Sequence, residues 1–454
     1  MKTVQIGDPT PLVTFRLVFL AGAALDPPGK PGVAYMTSQM HASAGTRTRT
    51  YKQILDALFP MAAGIGAQVD KEMTVFAAET HADNLEPFYE IFRETLLDPG
   101  WREDDFERLK DETMNYLAVN LRGQNDEELG KEVLYQEIYP DGHAYHWHNA
   151  GTLSSLESIT LDDLRTFSRA NYTQANLILG VAGSFTPDLS SMAEGTASSP
   201  KITQPPEVGE NSVVIVEKPA RSVAISLGFP IAVTRSHPDY EALAIATSCL
   251  GQHRTSSGRL FTRMRQLRGL NYGDYAYVEY FPAGMYTLEP PPNVARSEQI
   301  FQVWIRPVER AYTLFALRLA LYELDRLVRE GITEDEFART RSFLRKHRQL
   351  LMKTKAAELG YAIDKLFYEE ASAEPTREDV NQAIRRHLRA DRLKIVMVAE
   401  DAAGLRDELL KGSASPMTYN SPKPDDLLAE DKIVERFPLN IAEVRIVPVE
   451  RVFS

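Results

Sequence analysis

Two hydrophobic rhythms alternate along this chain, and the same succession of them occurs twice. Near the start, "VTFRLVFLAG" reads as a strand, and "RSVAISLGF" opens the second half in the same way. There Val223, Ile225, Leu227 and Phe229 alternate with smaller or polar residues, the two-residue period of a half-buried strand. Helical spacing follows. Leu85, Phe88, Phe92 and Leu96 form one apolar stripe, and Leu314, Leu317, Leu321, Leu324 and Val328 form another. Each stripe runs into a matching entry: "GWREDDFERLK" from Gly100 and "GITEDEFARTR" from Gly331, with Phe106 and Phe337 six residues after the glycine. A second matched pair begins at Thr160 and Thr376. Each threonine is a helix N-cap with an acid three residues on, Asp163 and Asp379, and each helix leads to an apolar strand at Leu177 and Leu393. The fold class expected is therefore α+β: two tandem homologous domains, each an antiparallel-rich sheet with helices packed on one face.

The segment Asp188–Ser212, rich in Ser, Pro, Gly and Glu, lacks a sustained apolar period and reads as a connection. It places the domains at 1–195 and 213–454, with a linker at 196–212. A chain of 454 residues is long enough for two cores. Its formal net charge of −12 argues against nucleic acid as a partner, since phosphate binding needs a basic face. One local exception, "RTSSGRLFTRMRQLR", carries Arg254, Arg259, Arg263, Arg265 and Arg268, and by itself reads as a solvated helix face. Cys249 is the only cysteine, so an intrachain disulfide and a thiolate metal cluster are both excluded. No apolar run reaches membrane-span length and no leader-like start precedes the first strand. The expectation is no membrane association and a cytoplasmic location, or a periplasmic one if a leader was trimmed. Nucleotide-binding loops and a Gly-x-Ser-x-Gly elbow are absent.

"PGVAYMTSQMHASAGT", Pro31 to Thr46, is the stretch with the most to say about chemistry. It has a Gly-Val-Ala entry, a short helix and a Gly-Thr exit. "GVAYMTSQM" resembles the Gly-Leu-Ala-His-x-x-Glu-His-Met helix of the pitrilysin/insulinase-type zinc metallopeptidases, which include the mitochondrial processing peptidases. The resemblance extends over nearly the whole chain: "GIGAQVDKEMTVFAAET", "PGWREDDFERLKDE", "GTLSSLESITLDDLRTFSRANYTQANLILGVAG" and "SGRLFTRMRQLRGLNY" each look like family landmarks. In that family the two histidines, four residues apart on one helix face, bind zinc, the glutamate between them is the general base, and a glutamate seventy-seven residues further is the third ligand. At the matching positions this chain has Tyr35 and Gln39 for the histidines, Ser38 for the base and Tyr116 for the third ligand. No metal is expected in this chain.

The family also uses an Arg and a Tyr seven residues apart, which reach toward the zinc site of a second domain or subunit and stabilise the oxyanion. "MRQLRGLNY" supplies that spacing with Arg265 and Tyr272, a fixed cation and a neutral donor. The alternative reading has Arg265 paired with a surface acid and Tyr272 capping a strand that enters the core. The resemblance thus implies a non-catalytic subunit, inactive alone. It would pair as a heterodimer with a homologous chain that carries His-x-x-Glu-His and the zinc ion, and it would help enclose a peptide substrate. Two alternatives stay open: a structural subunit like the core proteins of respiratory complexes, and a homodimeric peptide-binding protein. Three further features carry less. His143, His146 and His148 cluster without a carboxylate at helical spacing; His41 is rotated by about 200° from the ligand face; and "PPPNV", Pro290 to Val294, reads as a rigid loop without chemistry.

Overall fold

The computed structural model describes residues 1–7, 9–251, 257–282, 289–369 and 374–454. Arg254 of the arginine-rich stretch lies outside them. The first half runs β1 (Lys2–Ile6), β2 (Leu12–Phe19), α1 (Val33–Ala42), α2 (Tyr51–Leu58), β3 (Gly64–Val69), β4 (Thr74–His81), α3 (Leu85–Leu97), α4 (Glu103–Asn115), α5 (Asp126–Ile138), α6 (Leu153–Ser158), α7 (Leu161–Asn171) and β5 (Leu177–Ala182). The second runs β6 (Asn211–Glu217), β7 (Val223–Ile231), α8 (Tyr240–Gly251), β8 (Asp274–Tyr277), β9 (Gln299–Val308), α9 (Thr313–Glu330), α10 (Glu334–Leu351), α11 (Lys355–Tyr368), α12 (Arg377–His387), β10 (Lys394–Ala399), α13 (Ala402–Lys411), α14 (Asp425–Val434) and β11 (Ile441–Pro448).

The duplication read from the sequence is a duplication of topology. One sheet has the order β1-β5-β2-β4-β3 and the other β11-β6-β10-β7-β9-β8, so that β6, β10, β7, β9 and β8 repeat β1, β5, β2, β4 and β3. In both sheets the first pair is parallel and the following pairs are antiparallel. Strand β11 adds an extra parallel edge to the second sheet. The local signals that predicted the repeat are present in atomic detail. Thr160 and Thr376 both close capping boxes, with Asp163 and Asp379 respectively. Phe106 and Phe337 are both buried. The halves differ at one entry: Thr333 caps α10 through a box with Glu336, whereas Arg102 stands before α4 and provides no side-chain cap.

Strand β7 was expected to be half-buried, but both of its faces are covered. Val223, Ile225, Leu227 and Phe229 join α8, α9 and α12 in one core, while Ala224 faces another that contains Leu129, Val133 and Leu134 of α5. Helix α5 belongs to the first half. The exchange is mutual: Leu359 and Ile363 of α11, from the second half, pack with Val18, Val75, Ile178 and Ala182 on the outer face of the first sheet. A side chain at Gly180 would have its Cβ 2.8 Å from Ile363, so this glycine is what lets α11 lie close to β5.

Buried polar contacts join the halves where the helices cross. Arg296 donates from Nε and Nη2 to Asp70 at 2.7 and 2.6 Å, and its guanidinium lies 3.4 Å from the centre of the Tyr280 ring. Ser297 donates its amide and hydroxyl to Glu72 at 2.5 and 2.8 Å. The Pro290–Val294 loop, read as inert, is wired into the same interface. Asn293, fully buried at φ 64°, donates its amide to Asp364 and its Nδ2 to Gly360, and it accepts from Arg16 of β2 at 2.6 Å. The prolines fix the loop's path, and Asn293 tolerates the left-handed conformation better than a branched residue does.

Candidate functional site

Helix α1 starts at Gly32, whose φ of 100° and closeness to the Ala150 carbonyl suit only glycine. The free amides of Gly32 and Ala34 donate to the buried carboxyl of Asp26, both at 2.7 Å. Burial raises that carboxyl to about 7, against the pull of these two donors. Tyr35 and Gln39 are half-buried along one side of the helix; Ser38 is fully buried and turns its hydroxyl back onto the Tyr35 carbonyl at 2.7 Å. Tyr116 begins a wide helical turn, Tyr116–Gln124; burial, then the Glu132 charge and then the Tyr35 phenol hold its own phenol above the ordinary value. Tyr116 thus lies within electrostatic reach of Tyr35 on α1.

The side chains at the four positions are two phenols, a hydroxyl and a carboxamide. None is an imidazole, a thiolate or a carboxylate, the groups that hold zinc. Among the described residues, three His, Cys or carboxylate donors converge at one other place only. Zinc does not fit these residues. What surrounds them instead is a half-buried and buried set of charges. Burial and the Arg296 charge push Lys71 down, burial pushes Glu132 up, and burial with the Lys71 charge lowers His148 to about 3.

The other weak candidates resolve in the same direction. His41 is 2% exposed, with Nδ1 2.9 Å from the Thr95 carbonyl and Nε2 2.9 Å from the Ser168 hydroxyl, packed as its rotation on the helix predicts. Burial lowers it to about 4. His143, His146 and His148 do not converge: His143 meets the Thr203 carbonyl, His146 the Tyr139 carbonyl, and His148 accepts the Ala150 amide. Cys249 is buried against Thr340, and burial raises its thiol to about 12.

The arginine-rich stretch is not a solvated face. Arg259 pairs with Glu336 at 2.7 Å, and Arg263 pairs with Glu323 and Glu430. Arg268, 3% exposed, pairs with Glu430 and Asp431 at 2.7 and 2.8 Å. These acids come from α9, α10 and α14, which the sequence pattern did not connect to the stretch. Arg265 differs from its neighbours. It is exposed and has no carboxylate partner among the described residues. Its guanidinium lies 5.6 Å from the ring centre of Tyr272 and 4.9 Å from that of Phe261, and Nη1 donates to the Tyr272 carbonyl at 3.3 Å. Tyr272 is 72% exposed. Arg265 is thus not paired with a surface acid among the described residues, and Tyr272 stands two residues before the buried strand β8 with its ring in solvent.

Local chemistry keeps the pair in place. Gly269 at φ 68° makes the turn between them. Asn271 donates to Asp274 at 2.6 Å and to the Arg306 carbonyl at 3.1 Å, and its Oδ1 accepts the Gly273 amide. Burial raises Asp274 to about 8. The result is a fixed cation beside a phenol, both open to solvent on a turn whose other arginines are tied down. Such a pair can bind an anion or a developing oxyanion.

Comparison with known proteins agrees with this architecture. The chain matches a family profile described as Insulinase (Peptidase family M16) over residues 2–143 and one described as Peptidase M16 inactive domain over residues 158–344. An uncharacterized zinc protease of Rickettsia bellii is 23% identical over 287 residues, which span 61% of this chain and 67% of that protein. Zinc protease PqqE of Helicobacter pylori is 22% identical over 273 residues, spanning 56% of this chain and 59% of its own length. The crystal structure of a peptidase M16 inactive domain from Pseudomonas fluorescens has the same fold, with a TM-score of 0.73 and 22% identity over 87% of this chain and 94% of that one. No helix among the described residues is long and apolar enough to cross a membrane. The chain belongs to peptidase family M16, the insulinase family.

Proposed function

We propose that this chain is the non-catalytic member of a two-chain zinc endopeptidase, completing a homologous partner's active site with Arg265 and Tyr272. The observation that carries the reading is the contrast between two sites: the positions where the family holds zinc bear no ligand, while Arg265 and Tyr272 stand together, exposed and without a carboxylate among the described residues. Zinc in the partner would activate water and polarise the peptide carbonyl. In this chain, Arg265 stabilises the negative charge that gathers on the carbonyl oxygen and Tyr272 donates a hydrogen bond to it. Both gain strength as charge develops, which is what accelerates a reaction rather than merely tightening binding. The peptide lies extended, adding a strand to a sheet edge of the partner, and this chain walls off the opposite side.

The test is reconstitution with a homologous chain that carries His-x-x-Glu-His. Arg265→Ala and Tyr272→Phe should each lower kcat by about 10²–10³, while assembly, followed by sedimentation, stays intact. Full turnover with both residues replaced would remove them from catalysis and leave a structural or peptide-binding subunit as the better description.

A further inference from the structure

Three donor side chains that play no part in that surface meet at the start of α8. His237 and Asp239 flank Pro238 in the turn from β7 into α8, and His387 is the last residue of α12. One donor atom from each lies within 4.8 Å of the other two, and all three residues are half-buried. Nε2 of His387 is 2.7 Å from Oδ2 of Asp239, and the two imidazole rings stand edge to face with their centres 5.3 Å apart. Donors around one zinc-sized ion sit about 2.0–2.2 Å from it and hence, in a tetrahedral set, about 3.3–3.6 Å from each other, so a slight opening of the His387–Asp239 pair and adjustment of His237 bring all three onto a single ion.

We propose that His237, Asp239 and His387 bind a divalent transition ion of the zinc class, with the fourth position left to water. Two imidazoles and one carboxylate are the donor set such ions favour over calcium or magnesium. On binding, Nε2 of His387 turns its lone pair to the ion with the ring N–H on Nδ1, and the ion takes the place of the present contact between that nitrogen and Oδ2 of Asp239. His237 exchanges its present contact, Nδ1 accepting the Asp239 amide at 3.0 Å, for the ion. Arg386 works against the ion: its exposed guanidinium donates to Oδ1 of Asp239 at 2.9 Å. The site is particular to the second half. In the repeat, α12 corresponds to α7, and the residue at the place of His387 is Asn171, which accepts from the Ser198 hydroxyl. A bound ion would clamp the end of α12 to the start of α8.

The experiment titrates the tag-free full chain, first stripped by chelator, with zinc chloride and cobalt chloride, read by calorimetry and by the visible absorbance of Co²⁺. The expected result is one ion per chain, weakened at least about tenfold by His387→Gln or Asp239→Asn and unchanged by His146→Gln in the histidine-rich loop of the first half. Arg386→Gln, at an exposed helix end where folding is not at stake, should tighten binding severalfold. Absence of stoichiometric binding, or an affinity indifferent to both His387→Gln and Arg386→Gln, overturns the proposal and leaves the trio as an ion-paired staple between two helices. The readout is independent of peptidase activity, so either result leaves the role of Arg265 and Tyr272 to its own test.

Discussion

Helix α1 with its surroundings and the turn Phe261–Tyr272 have opposite electrostatic designs. Around α1 the polar groups are inside and engaged: Asp26 caps the helix, Ser38 bonds its own backbone, His41 uses both ring nitrogens, and Asp70, Glu72 and Arg296 close the interface between the halves. Around Arg265 the engaged charges act as anchors, and one cation with one phenol is left facing solvent. The difference teaches that a charged side chain has to be judged by its partners. A paired, buried charge is costly to disturb and contributes shape, while an unpaired, exposed one costs the fold little and is free to meet a ligand.

The comparison breaks most sharply at Asp70. Asp70→Asn leaves the Arg296 guanidinium buried without a counter-charge and should destabilise the chain by about 3–5 kcal/mol, read as a lower urea midpoint. A loss under about 1 kcal/mol would mean that the interface relaxes and water reaches Arg296. Restoring the general base is the next test. Ser38 is fully buried, so Ser38→Glu should cost about 2–4 kcal/mol, because the space a catalytic glutamate needs has been filled by packing. A Ser38→Glu chain as stable as the parent would show that a cavity persists on that side of α1.

His41 gives a pH-dependent version of the same contrast. Its folded pKa of about 4 lies below the ordinary 6.5. Between these values the unfolded chain takes up a proton that the folded chain refuses, so stability falls as pH drops from about 6.5 to about 4. The full shift corresponds to about 3 kcal/mol. Wild type should therefore lose its advantage over His41→Gln by up to that amount across the window, measured as paired urea curves at each pH; parallel curves would mean that His41 protonates in place. The smallest expected effect belongs to the exposed pair. Arg265→Ala should change stability by no more than about 0.5 kcal/mol, even though its effect on turnover in the reconstituted complex is large. A large stability loss there would move Arg265 into the structural class and erase the contrast.

Much of this was legible along the chain because the signals involved are local. A capping box at Thr160 or Thr376 spans four residues, a helical stripe such as Leu314 to Val328 repeats every three or four, and a strand such as Val223 to Phe229 every two; backbone geometry ties each pattern to one element. Two copies in the same order fixed the fold class and the repeat. The missing zinc ligands at Tyr35, Ser38, Gln39 and Tyr116 and the spacing of Arg265 and Tyr272 were equally visible, since they rest on residue identity. Tertiary structure alone decided which helix covers which sheet, because nothing in the local pattern of α5 or α11 names the half it packs against. It decided which arginines are tied down, since Glu323, Glu336, Glu430 and Asp431 lie far along the chain from the stretch they hold. It also paired Asp70 with Arg296 and brought His387 to His237 and Asp239. Contacts between residues so far apart carry no periodicity for a linear pattern to reveal; they exist only once burial has chosen the partners.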